Sequence, residues 1–275
     1  MTETFKPSAR SENEIRVCED INKIAINNMH GKIRRGLSDD KNQQIPILFI
    51  DIDETLFHTV EKLVKVINRG ARIWGFNEDL PDEALIIENG GTHHYASIFG
   101  MTDDEWESWM IEIRRRQYVN EKAKLYFPKA PELLTDLGVT GYISARPATL
   151  ATFISTQRDL FNRRNFPERP VVLRPETIHI RESSNWKSEL IFNEFGHYVY
   201  SGARIILIDD SINTAMAVAK INRGHGRNVI NQILYRGPFT KGVLDSGSYV
   251  PNEEEGIYVS DWENMKNTFD KIKNT

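Results

Sequence analysis

ILFIDIDETLFHT occupies residues 47–59. Its apolar half has the length of a strand, and it stops at two aspartates, Asp51 and Asp53, with Glu54 and Thr55 directly behind. An unbroken apolar run of this length marks a strand buried on both faces, as in a parallel sheet. A buried strand has no need of paired carboxylates at its end, whereas a chemical site at the edge of a sheet does.

The same pattern recurs along the chain. GVTGYIS ends at Ser144, RPVVLRP centres on residues 171–173, and ARIILIDD ends at Asp209 and Asp210. NVINQILY and GIYVS are weaker strand candidates. Helical patterns lie between them: Leu150, Phe153, Ile154, Leu160 and Phe161 in one, NTAMAVAKI in a second, and DWENMKNTFDKI at the end. Strands alternating with helices predict right-handed crossovers and an α/β fold with a doubly wound parallel sheet. Ligands of such sheets gather at the carboxyl ends of the strands. Asp51, Ser144, Asp209 and Asp210 are therefore expected at one crevice.

Two stretches stand outside this rhythm. Residues 1–44 read as a partly helical extension, with Ile15, Ile21, Ile24 and Met29 at loosely helical spacing. Gly31 and Gly36 are expected to interrupt that helix, and SDDKNQQ to form a polar loop. Residues 60–127 read as a mainly helical insertion. A helix over 102–117 opens on a capping box, Thr102 with Glu105, and sets Trp106, Trp109, Met110 and Ile113 on one face. Asp103 and Asp104 at its start and Arg114, Arg115 and Arg116 towards its end complement the helix dipole. The two tryptophans are read as packing, and His93 and His94 as surface residues rather than a metal pair, because neighbours on a strand point apart.

Composition narrows the classes. The chain has 275 residues with a net charge of −4, so nothing global points to nucleic acid. The single cysteine, Cys18, rules out an intrachain disulfide and a thiolate zinc cage, and suits a reducing, cytoplasmic setting. No apolar run is long enough to span a bilayer.

Asp51-Ile-Asp53-Glu-Thr55 at a strand end resembles the DxDxT signature of the haloacid dehalogenase superfamily, mostly phosphatases. The other motifs of that family follow in order: Ser144 in GYISARP, Lys187 in SSNWKSELI, and Asp209 and Asp210 in IILIDDSINT. The resemblance spans residues 45–217. It implies a Rossmann-like core over 45–59 and 128–275, with 60–127 inserted between the first two motifs as a C1-type cap. It also implies that Asp51 is the nucleophile and Asp53 the general acid and base. The metal, Mg²⁺, would be held by Asp51, the backbone carbonyl of Asp53, and Asp210, with Asp209 either on a metal-bound water or orienting a neighbour. Ser144 and Lys187 would bind the transferring phosphoryl oxygens. Arg146 is placed on the substrate too, with pairing to a structural carboxylate as the competing reading. The chain departs from the family four residues after Asp210, where Thr214 replaces a frequent acid and Asn213 stands beside it.

The activity implied is a Mg²⁺-dependent phosphatase acting on a small phosphoester through an aspartyl phosphate. A phosphotransferase, or a phosphatase for nucleotides or nucleic-acid ends, is the first alternative. A non-catalytic binding protein on the same scaffold is the second.

Overall fold

The computed structural model describes residues 12–39, 45–73, 80, 82–88, 96, 99–102, 105, 106, 109 and 124–274. The strands are β1 (Pro46–Ile50), β2 (Phe57–His58), β3 (Lys124–Leu125), β4 (Gly141–Pro147), β5 (Val171–Arg174), β6 (Arg204–Asp209), β7 (Ile230–Tyr235) and β8 (Ile257–Ser260). The helices are α1 (Glu12–Asp39), α2 (Val60–Ile73), α3 (Glu83–Glu88), α4 (Ala130–Leu137), α5 (Leu150–Gln157), α6 (Ser183–Phe195), α7 (Ile212–His225), α8 (Pro238–Asp245) and α9 (Met265–Lys273).

Six strands form one parallel sheet in the order β5-β4-β1-β6-β7-β8, from the six segments that the apolar runs predict. Period-two alternation explains why β1 is apolar throughout. Leu48 and Ile50 face one layer with Leu134, Phe153 and Phe269, while Ile47 and Phe49 face the other with Ile191, Phe195 and Val218. Helices thus cover both faces, which is the doubly wound arrangement. Register places Ile50 opposite Ile208, so β1 and β6 deliver Asp51 and Asp209 side by side. Strand order reverses direction at β1, and that is where a crevice opens in such sheets.

Helix α1 corrects the sequence reading in two ways. It runs through Gly31 and Gly36 to Asp39, because burial continues to Ile33 and outweighs a glycine cost of about 1 kcal/mol. Its buried face is Cys18, Asn22, Ala25, Met29 and Ile33, whereas Ile15 and Ile24 are exposed. The helix closes the β5 edge of the sheet. Asn22 Nδ2 donates to Leu173 O at 2.8 Å, and Leu173 N donates to Asn22 Oδ1 at 3.0 Å, so a side-chain amide stands in for a further strand. Gly141 permits the close approach: a Cβ there would clash with the Met29 Cε. In α5, Phe153 is buried but Leu150 and Ile154 are exposed, and the chain passes into a π-turn, Arg158–Asn162, that buries Leu160.

The insertion leaves and rejoins the core through the antiparallel pair β2 and β3, with Phe57 opposite Leu125. Its described residues form a third apolar cluster of Leu63, Ile67, Ile86, Phe99, Trp106 and Trp109, against which Phe239 of α8 packs. The tryptophan rings lie 5.1 Å apart, as packing residues. The capping box is present: Thr102 N donates to Glu105 Oε2 at 2.8 Å, and Glu105 N to Thr102 Oγ1 at 3.3 Å. Asp103, Asp104, Met110, Ile113, Arg114, Arg115, Arg116, His93 and His94 lie outside the described residues. No helix among the described residues is long and apolar enough to cross a membrane.

Candidate active site

The sheet ladder extends one residue beyond β1, with Asp51 N donating to Ile208 O at 2.9 Å. The chain then turns. Leu56 N and Phe57 N both donate to Ile52 O, and Glu54 adopts φ 58°. Asp51 and Asp53 therefore do not lie on one straight extended segment; the second aspartate lies at the start of a tight turn. Asp51 is buried, while the Asp53 side chain keeps 23% of its exposure.

Four sequence-predicted residues meet at the ends of β1 and β6. Lys187, one turn into α6 and buried, donates to Asp51 Oδ1 at 2.7 Å and to Asp209 Oδ2 at 2.5 Å. The other oxygen of Asp209 accepts from Ser211 N at 2.7 Å. Ser211 also caps α7, its hydroxyl accepting from Thr214 N at 3.2 Å. One oxygen from each of Asp51, Asp209 and Asp210 lies within 4.8 Å of the others.

Among the described residues this cluster is short of donors. Thr55 Oγ1 lies 3.4 Å from Asp51 Oδ2 and 3.3 Å from Asp210 Oδ1, and it accepts from Asp210 N at 3.1 Å. Its single hydroxyl hydrogen can serve only one of the two carboxylates. Charge tells the same story: three carboxylates face one ammonium. Burial pushes Asp51 up to about 7, against the pull of Lys187 and with Asp209 adding to the rise. Burial, then the charges of Asp209 and Asp51, drive Asp210 well above the carboxylate range. For Lys187, burial alone would favour the neutral amine, but Asp209 and Asp51 outweigh it and hold the ammonium above its ordinary value. Hard oxygen donors carrying surplus negative charge fit a hard divalent cation such as Mg²⁺. Asp51 and Asp210 have capacity for it; each oxygen of Asp209 accepts one hydrogen bond, from Lys187 and from Ser211 N, and keeps a second lone-pair site.

The second motif is built differently. Ser144 is fully buried in the middle of β4, which runs on to Pro147 instead of ending at the serine, and its Oγ accepts from Arg146 N at 3.2 Å. Pairing with β5 slips here: Ser144 is opposite Leu173, but Pro147 is opposite Arg174. The extra residues form a bulge that turns Arg146 out of the strand pattern. Its guanidinium grips Asp53, Nε to Oδ2 at 2.9 Å and Nη2 to Oδ1 at 2.8 Å, while Nη1 donates to Thr156 Oγ1 at 2.9 Å. Arg146 thus pairs with a carboxylate, but with that of Asp53, itself a sequence-predicted site residue and not a structural one, and all three of its nitrogens are engaged. The buried Arg174, which carried no sequence signal, fills the bulge by donating Nε to Ala145 O at 3.1 Å. Asn213 lines a groove beside α7.

Sequence reasoning also missed a network behind the site. Glu54 Oε1 accepts from Thr59 N at 2.6 Å, Thr59 Oγ1 at 2.7 Å and Val60 N at 2.8 Å, capping α2 from outside the helix. Its other oxygen accepts from Tyr126 OH. His58 Nδ1 lies 2.7 Å from the same phenol, and its Nε2 lies 2.8 Å from Glu83 Oε1. Only the unusual φ of Glu54 marks this role, and that is invisible in sequence.

No protein-family model matches the chain, and no curated sequence matches it. Solved structures do. A candidate phosphatase from Clostridium difficile aligns at 19% identity over 83% of this chain and 100% of its own, with a TM-score of 0.50. A candidate haloacid dehalogenase-like hydrolase from Bacteroides fragilis aligns at 15% identity over 81% and 100%, with a TM-score of 0.53. Protein Tyrosine Kinase A from Mycobacterium tuberculosis aligns at 16% identity over 83% and 99%, also at 0.53. At these identities the likeness shows the fold, which is that of haloacid dehalogenase-like hydrolases.

Proposed function

We propose that the chain is a Mg²⁺-dependent phosphatase that hydrolyses a small phosphoester through an aspartyl phosphate on Asp51. The observation that carries this reading is the pairing of buried Asp51 with Lys187 at the strand ends, beside Asp210 and short of donors. The Asp51 carboxylate attacks phosphorus, and the ester oxygen departs with a proton from Asp53. Water then attacks the aspartyl phosphate, gives its proton to Asp53, and releases inorganic phosphate and the free carboxylate. Lys187 and Ser144 face the phosphoryl oxygens, and Asp209 orients Lys187. Mg²⁺, held by Asp51, the carbonyl of Asp53, and Asp210, would neutralise charge on the phosphoryl group.

Residues 60–127 act in this reading as a cap. They leave the core directly behind Asp53, their described apolar residues pack on Phe239, and a cap favours small phosphorylated substrates. The lone, buried Cys18 suits a cytoplasmic setting. A phosphotransferase is the second reading, because the fold is shared with a protein named as a tyrosine kinase. Acid-quench mass spectrometry with Mg²⁺ and p-nitrophenyl phosphate tests the first. Asp53→Asn should accumulate one phosphoryl group on Asp51 while losing ~10²–10⁴-fold in turnover. Asp51→Asn should carry none and be inactive. A label on Asp53 or on a serine overturns the assignment. Release of phosphate only when an acceptor other than water is present favours the transferase.

A further inference from the structure

The geometry points to Arg146 as a positioning residue that sets the carboxylate of Asp53 for proton transfer, rather than as a ligand of the substrate phosphate; this rests on the phosphatase reading. Four observations carry it. The bulge between Ser144 and Pro147 is the device that brings Arg146 to Asp53. The two parallel N–H···O contacts fix the plane of the carboxylate, which a single contact would leave free to rotate. The fork is itself held: Thr156, buried on α5, takes the third nitrogen, and Arg146 is only 3% exposed. Finally, each Asp53 oxygen has a second lone-pair site beyond the one that Arg146 uses, so the clamp leaves the carboxylate able to exchange a proton on its open side.

Asp53 needs such help because it has left the strand. It sits on the turn after β1, part exposed, where its backbone no longer orients the side chain as a ladder residue would be oriented. Arg146 supplies from β4 the orientation that β1 no longer supplies. A misplaced acid–base group costs rate without weakening substrate binding, and that difference separates positioning from phosphate binding.

The experiment compares Arg146→Ala, Arg146→Lys, Asp53→Asn and the Arg146→Ala/Asp53→Asn double variant, with p-nitrophenyl phosphate and glycerol 2-phosphate. Arg146→Ala should lower kcat by about 10²-fold. The loss should be larger for glycerol 2-phosphate, whose leaving group needs its proton most. KM and inhibition by inorganic phosphate should shift by less than about threefold. In the Asp53→Asn background, removing Arg146 should cost no more than about threefold further, since the group that it positions is already gone. Added guanidinium should restore part of the Arg146→Ala rate and none in the double variant. If Arg146→Ala fails to fold, Arg146→Lys carries the test: it keeps the charge but not the fork, and should lose kcat with KM unchanged. Weakened phosphate inhibition with kcat retained overturns the proposal in favour of a binding role. So do multiplying losses in the double variant, or full kcat in a folded Arg146→Lys. If the unaltered protein hydrolyses neither ester with Mg²⁺, the phosphatase reading falls and this proposal falls with it.

Discussion

Glu54 and Asp51 are three residues apart and both buried, yet their surroundings are opposite. Glu54 is saturated: three donors meet one oxygen, and Tyr126 meets the other. Asp51 shares one ammonium with Asp209, and competes with Asp210 for one hydroxyl hydrogen. A buried acid whose donors are all supplied by the chain holds structure together. A group of buried acids lacking donors waits for something from outside. The same residue chemistry thus does two jobs, and the difference lies in what faces it.

That contrast can be broken most directly at Glu54. Glu54→Ala strands the two backbone N–H groups at the start of α2, each worth ~1–3 kcal/mol when buried and unpaired, while the Tyr126 hydroxyl keeps His58. Urea denaturation should show a loss of about 3–5 kcal/mol. A loss under about 1 kcal/mol would mean that the network is ornamental. The next effect belongs to the cation. At about 100 times its dissociation constant, Mg²⁺ should stabilise the fold by ~2.7 kcal/mol in thermal melts, and Asp210→Asn should remove most of that gain.

A third experiment compares signs. In metal-free protein, Asp210→Asn relieves like-charge repulsion and should raise stability by about 1 kcal/mol, while Glu54→Gln should lower it. Equal signs would erase the distinction between the two regions. The pH dependence follows from the same cluster. Folding holds a proton on Asp51 up to about 7, whereas the unfolded chain sheds it near its ordinary value of about 4. The native state therefore binds more protons within that window, and metal-free stability should fall as pH rises from about 4 to about 7. Saturating Mg²⁺ should flatten that slope.

The smallest effect concerns His58. Its hydrogen bond to Glu54 raises it above its ordinary value against the cost of burial, with the charges of Glu54, Glu83 and Glu61 adding. The stabilisation it contributes is present below its unfolded value near 6.5 and is lost as pH rises through the higher folded value. His58→Gln should abolish that shallow slope just above pH 6.5 and leave the Asp51 window unchanged. A slope that survives the substitution would place its origin elsewhere.

Much of this molecule is readable from local pattern. A strand buried on both faces must be apolar throughout, so each of the six core strands announces itself, and the polar residue that ends it is conspicuous. Asp51, Asp209 and Asp210 were legible for that reason, and Lys187 through its place between Ser144 and Asp209 in the order of motifs. Helix faces were less legible, because the side of α1 that meets the sheet depends on the sheet. Ile24 is apolar and exposed, while Asn22 is polar and buried, because the β5 edge presents backbone groups to it.

What the residues alone determined is the sheet, its strand ends and the identity of the charged groups there, since strand burial and hydrophobic period act over a few neighbours. What only the tertiary structure decided is which of those groups pair. Arg146 finds Asp53 through a bulge defined by the register of β4 against β5, and Glu54 caps α2 through a positive φ and closes on Tyr126 at the far end of the insertion. Pairing depends on distances between elements far apart in the chain, and no short-range pattern encodes those distances.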